Sequence, residues 1–269
     1  MSESPYAGSS IPIDTFVEQF RGDMIPLNKS FSYFPVVPIE ESELRHLVFD
    51  PVTALPPKVN EIVADVRVVL APYLDVGETK SKSSGSGSQN GGVGHAADRP
   101  ESIVFQQPAD KRRVAAVRLE REGTTYLFLA VRDEDVSDYH YFFYSELAAV
   151  LAKRIEVPLA NRYSDLLREE LEIEAHGEID EKSWRLKERL LRKPLNPKGS
   201  SKALESYFRQ SLEDSATLYL HGLCCDIDVE SGPRQLASRY IRRRLNMLRE
   251  MLPPPEGVPL FPEEISETV

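Results

Sequence analysis

The chain has 269 residues, 41% of them hydrophobic and 28% charged, and its formal net charge is −10 at pH 7. That length and balance suit one large domain or two smaller ones, able to bury a core without disulfides or a structural metal. The acidity excludes charge-driven binding to nucleic acid or anionic membrane over the whole surface, and no apolar run approaches the ~18 residues of a membrane span.

Residues 1–76 read as helical pieces joined by proline-rich loops. The start, "MSESPYAGSSIPIDTF", has neither a basic cluster nor an apolar stretch, so a secretory signal is not expected and the cytoplasm is the expected location. "PIDTFVEQFRG" predicts a helix with Asp14 as its N-cap and Gly22 as its stop. "IEESELRHLVFDP" predicts a short helix ended by Pro51. "PPKVNEIVADVRVVLAPYL" predicts a longer one, because Val59, Ile62, Val63, Val66, Val69 and Leu70 recur at helical spacing.

Residues 77–101, "GETKSKSSGSGSQNGGVGHAADRPE", are dominated by Ser and Gly and predict a flexible connection. The stretch lacks the Gly-Lys-Ser/Thr of a phosphate-binding loop. Residues 102–155 carry the β signal and predict an antiparallel meander with a helix packed on it. "SIVFQ" is a short strand, and Val114–Leu119 with Thr125–Val131 forms a hairpin turning at Gly123. "YHYFFY", Tyr139–Tyr144, is expected as a further strand from its aromatic content, with Ser145 capping the next helix.

Residues 156–255 predict a helical C-terminal region, and 256–269 an acidic, mobile tail. Helices are expected from Tyr163, around Trp184, after a cap at Ser200 or Ser201, and across residues 234–252. Residues 215–229 fit either a helix or a hairpin turning at His221-Gly222, with alternation at Cys225, Ile227 and Val229 favouring strand. These elements give an α+β fold class: a small antiparallel sheet of three to five strands, N-terminal helices and a helical C-terminal half.

No motif specific enough to name a reaction is present. His-Glu-x-x-His, Gly-x-Ser-x-Gly and Gly-x-Gly-x-x-Gly are all absent. The carboxylates Asp133, Asp135 and Asp138 could hold a divalent cation, the weaker reading beside a solvated turn with no cofactor. His140 could act as a general base beside Asp138 or Glu146, again behind a hydrogen-bonded core histidine. The cysteines, Cys224 and Cys225, are adjacent. Without a Cys-x-x-Cys pair a cysteine zinc site is not expected, and a redox pair stands behind two reduced, inert thiols.

Six arginines fall between Arg234 and Arg249. On a helical projection Arg239, Arg242, Arg243 and Arg249 share the polar half, while Arg244 falls among Tyr240, Leu248 and Met251 on the apolar half. All five are candidate partner-binding residues. Arg244 in particular must reach the rim by its stem or meet a carboxylate, because an unpaired buried charge is costly, and a pairing with an acid from another element of this chain or from a partner is expected. The leading expectation is a non-enzymatic interaction protein, an accessory subunit of a larger assembly. The alternatives are a metal-dependent hydrolase or nuclease using the acids near Asp133, and a nucleic-acid-binding subunit using the arginine-rich helix.

Overall fold

A computed structural model describes residues 10–77, 101–132, 136–192, 201–225, 234–261 and 264. The glycine-rich connection expected at 77–101 and the carboxylates Asp133 and Asp135 lie almost wholly outside them. The fold is mixed α+β with a helical C-terminal half. Among the described residues, no helix is long and apolar enough to cross a membrane.

Two compact units interleave in sequence, one within Met1–Glu40 and Val66–Asp135, the other within Glu41–Asp65 and Val136–Val269. This division cuts across the linear partition read from the sequence. In the first unit β1 (Ser10–Pro12) leads into helix α1 (Ile13–Phe20), which starts after Pro12 and so holds Asp14 within its first turn. Strands β2 (Ile25–Pro26) and β3 (Phe31–Pro35) come next. The second unit then takes α2 (Glu41–Leu44), a π-helical turn Arg45–Phe49, α3 (Asp50–Thr53) and α4 (Pro57–Val63). Pro51 does not end this stretch; the wider π turn ahead of it leads into α3, where Pro51 occupies the first turn and needs no i−4 partner.

The long helix expected beyond Pro57 stops at Val63. Ala64 turns the chain at φ 52°, and Val66–Ala71 becomes strand β4. The difference has a physical cause. Val68, Val69 and Leu70 are all fully buried, so β4 is apolar on both faces and shows no alternation to distinguish it from a buried helix.

Strands β5 (Tyr73–Val76), β6 (Glu101–Val104), β7 (Arg113–Val114), β8 (Ala116–Arg121) and β9 (Thr124–Ala130) complete the unit. They do not form the expected meander. β6 joins an antiparallel sheet in the order β1-β6-β5-β7, while the hairpin closes a mixed sheet in the order β2-β3-β4-β9-β8. There β4 runs parallel to both β3 and β9, pairing Val68 with Tyr33 and Leu127. The β8–β9 hairpin turns at Gly123 as expected, although Val114, expected in its first arm, lies in β7 and pairs with Leu74: Arg121 pairs with Thr124 across Glu122 (φ 52°) and Gly123 (φ 85°), the two positive φ values of a type I′ turn. Helix α1 packs Phe16 and Val17 over Val69, Tyr126 and Phe128.

The second unit continues with α5 (Val136–Arg154), α6 (Val157–Glu172), α7 (Glu181–Leu191), α8 (Lys202–Cys224) and α9 (Ser238–Met251). The strand expected at Tyr139–Tyr144 is helical and lies in the N-terminal half of α5. Its aromatic residues favour strands in isolation, but Tyr139, His140, Phe143, Tyr144, Leu147, Ala148 and Leu151 are buried at i, i+3 and i+4 spacing, so packing of a helical face decides the conformation. Residues 215–224 are likewise helical, extending α8, which Ser201 caps by accepting from the Leu204 N–H at 3.2 Å. The tail is anchored in part: Leu260 and Phe261 are buried, and Glu264 accepts from the Leu260 N–H at 2.9 Å.

Between α6 and α7 the chain pairs Glu178 with Gln235 in an isolated parallel bridge, using Glu178 N–H to Arg234 O and Leu236 N–H to Glu178 O, each 3.0 Å. Gly177 makes this approach feasible. It sits at φ +84°, and a Cβ there would lie 2.4 Å from the Gln235 carbonyl oxygen. Gly177→Ala is expected to cost about 2 kcal/mol or more through left-handed strain and overpacking. A melting temperature equal to that of the unaltered protein would show that the bridge is dispensable.

Candidate metal centre

Helices α5 and α8 lie side by side and bring together three groups that the sequence scatters: His140, Cys224 and Cys225. One nitrogen and two sulfur atoms from these residues all lie within 4.8 Å of one another. His140 occupies the buried face of α5. Its Nε2–H donates to the carbonyl oxygen of His46 in the π-helical turn at 2.7 Å. A carbonyl can only accept, so Nε2 carries a proton, and in the neutral form of the ring the Nδ1 lone pair faces the thiols. Cys225 Sγ lies 3.2 Å from Nδ1 and Cys224 Sγ 3.9 Å.

Cys224 is the last residue of α8 and Cys225 its C-cap, whose N–H still bonds the His221 carbonyl at 2.9 Å. Neither cysteine is in a disulfide, and both are half-buried. The Cys224 thiol is pulled down to about 4, first by a hydrogen bond from Cys225, with burial opposing and with His140 and Tyr144 adding further hydrogen bonds. Burial alone would lower the pKa of His140; hydrogen bonds with Cys224 and the His46 carbonyl outweigh it and raise the pKa. Tyr144 flanks the cluster and ties it to the chain elsewhere by donating to the Pro51 carbonyl at 3.0 Å. A disulfide is a poor fit: adjacent Cα atoms lie about 3.8 Å apart, below the ~4.4 Å lower limit of ordinary bridges.

The spacing suits a tetrahedral ion. With Zn–S of about 2.3 Å and Zn–N of about 2.0 Å, a sulfur and a nitrogen on one zinc ion stand about 3.5 Å apart. The two observed separations, 3.2 and 3.9 Å, bracket that value. The donor set is soft to borderline, matching zinc rather than calcium or magnesium. The His46 carbonyl is the outer partner that orients a ligating imidazole and raises its basicity.

No known family, curated protein or solved structure matches this chain.

The residues singled out in the sequence are distributed differently. Asp138 is exposed in the first turn of α5 rather than in a turn between strands, and His140 faces the thiols, not Asp138 or Glu146. The arginines of α9 are engaged within the chain. Arg239 lies over the Tyr240 ring and Arg242 over Phe261, at 4.7 and 4.3 Å from the ring centroids. Arg243 pairs with Glu169, and Arg249 pairs with Glu264 at 2.5 Å. Arg244 is fully buried, which removes it from any partner-facing surface. It meets the internal form of the sequence expectation: its guanidinium donates to Glu170 Oε2 at 2.6 Å, Glu178 Oε2 at 2.7 Å and Ser211 Oγ at 2.8 Å. Lys187 and Tyr207 also donate to Glu178 Oε1, at 3.2 and 2.5 Å. Two carboxylates and two cations thus form a closed, buried, neutral set.

A separate buried carboxyl has a pH consequence. Burial pushes Asp214 up to about 7, reinforced by the charges of Asp180 and Glu213 and opposed by hydrogen bonds from Ser183 and Gln210. A carboxyl whose folded pKa is raised favours its protonated form in the fold. Its contribution is complete below the unfolded value near 4 and is lost as pH rises to about 7. The loss is roughly 4 kcal/mol at full ionisation. Asp214→Asn is expected to melt above the unaltered protein at pH 8 and level with it near pH 4. Equal melting temperatures at both would mean the carboxyl is ionised throughout.

Proposed function

We propose that this chain is a metal-binding interaction protein whose helical unit holds one thiophilic divalent ion, of the zinc class, at His140, Cys224 and Cys225. The observation that carries the reading is the convergence of two thiols on an imidazole whose tautomer is fixed by the His46 carbonyl. Both thiols sit at the C-terminal end of α8, where the helix dipole is negative and favours a cation over a lone thiolate or an oxyanion. The role assigned to the ion is therefore to stiffen a binding module of a larger assembly, not to run a reaction. The engagement of the α9 arginines with acids and rings of their own chain supports this over nucleic-acid binding.

Equilibrium dialysis against Zn²⁺ tests the reading. One tightly held ion per chain is expected, lost when Cys224→Ser and Cys225→Ser are combined and retained in Asp138→Ala. Zinc uptake that survives loss of both thiols would refute it.

A further inference from the structure

Three protein donors leave a tetrahedral ion one position short, and the ligand that fills it decides whether the ion is sealed or open to solvent. Resting on the metal-binding reading above, we infer that His221 is the fourth ligand and that the site closes as Cys₂His₂.

The placement of His221 carries the inference. It precedes Cys224 by three residues on α8, which places those two on one helical face with Cβ atoms about 5–6 Å apart, and it precedes the extended C-cap Cys225 by four. The same spacing lets two histidines on one helical face bind a single zinc ion. Helical bonding persists through the interval, since Cys225 N–H still reaches the His221 carbonyl at 2.9 Å. His221 also stands beside the cluster in space. Its ring lies edge-on to Tyr144, centroids 6.1 Å apart, and Tyr144 in turn lies 6.5 Å from the His140 ring. The second ring contact of His221, with Tyr141 at 6.0 Å, also comes from α5. Its imidazole therefore rests against the helix that supplies His140, on the helix that supplies both thiols. The side chain is half-buried, and its approach to the ion would require it to turn toward the thiols from its contacts with Tyr141 and Tyr144.

The test uses Co²⁺ as a spectroscopic probe on the full chain and on its His221→Ala variant, both confirmed as folded by melting in the presence of a chelator. The unaltered protein should show a sulfur-to-cobalt charge-transfer band and a tetrahedral ligand-field spectrum that azide or imidazole does not alter. His221→Ala should keep the charge-transfer band, bind Co²⁺ at least tenfold more weakly, and recover the original ligand-field spectrum when free imidazole is added. Unchanged affinity and spectrum in His221→Ala, together with a spectral response of the unaltered protein to azide, would overturn the inference and leave a three-ligand, open site. Absence of the charge-transfer band from the unaltered protein would instead remove the metal-binding reading, and this inference with it.

Discussion

Arg244→Ala is expected to destabilise the helical unit by about 3–5 kcal/mol, against about 0–1 kcal/mol for Arg243→Ala on the same helix. The difference arises from the group each substitution leaves behind. Arg243 pairs with Glu169 where both are largely exposed, so water replaces the lost partner. Removing Arg244 strands Glu170 and Glu178, both inaccessible to water, with Lys187 still paired to Glu178. A loss of that size is a large part of an ordinary folding free energy. Urea titration checks it, and near-equal midpoints for the two variants would contradict the account. Arg244→Lys should recover little, since one ammonium cannot span two carboxylates as the planar guanidinium does.

The same cluster sets an acid limb. Burial resists ionisation of Glu178, but the charge and hydrogen bonds of Arg244, then Lys187 and Tyr207, hold its carboxyl down at about 2. A depressed folded pKa contributes stability that is present above the unfolded value near 4.5 and lost as pH falls toward 2.

Arg244 also shows how much the sequence makes legible. A charge on the apolar stripe of an amphipathic helix demands a buried counter-charge, and that demand could be read from spacing alone. Which carboxylates answer it could not: Glu170 lies on α6 and Glu178 in a bridge made possible by Gly177, both more than 60 residues away. The α+β class, the hairpin at Gly123 and the helical C-terminal half rest on local patterns and were legible for that reason. The parallel pairing of β4 with β3 and β9 was not, because its two-faced burial erases the alternation that marks a strand. The grouping of His140 with Cys224 and Cys225 was hidden by the choice of period. Reading Tyr139–Tyr144 as a strand placed His140 on an alternating face, whereas on α5 it lies one turn from Tyr144 and faces the end of α8. The i, i+3, i+4 recurrence of Tyr139, His140, Phe143, Tyr144 and Leu147 was the available signal. Adjacent cysteines three and four residues after a histidine, on a segment that could be helical, were the second.

Zinc is expected to have the other large effect. An ion that binds only the folded chain adds stability of about 4 kcal/mol when free metal stands at a thousand times the dissociation constant. The melting temperature should therefore rise with Zn²⁺ concentration, fall back on chelation, and become indifferent to both when Cys224→Ser and Cys225→Ser are combined. His140→Ala should weaken the response, and it should do so without a comparable loss of stability in the metal-free state.

The central claim is that sulfur and nitrogen from α5 and α8 surround one ion, and X-ray absorption at the zinc edge of the loaded protein reads that shell directly. The account predicts two sulfur neighbours at about 2.3 Å with the remaining nitrogen neighbours at about 2.0–2.1 Å. A shell made only of oxygen and nitrogen, with no sulfur at bonding distance, would contradict it.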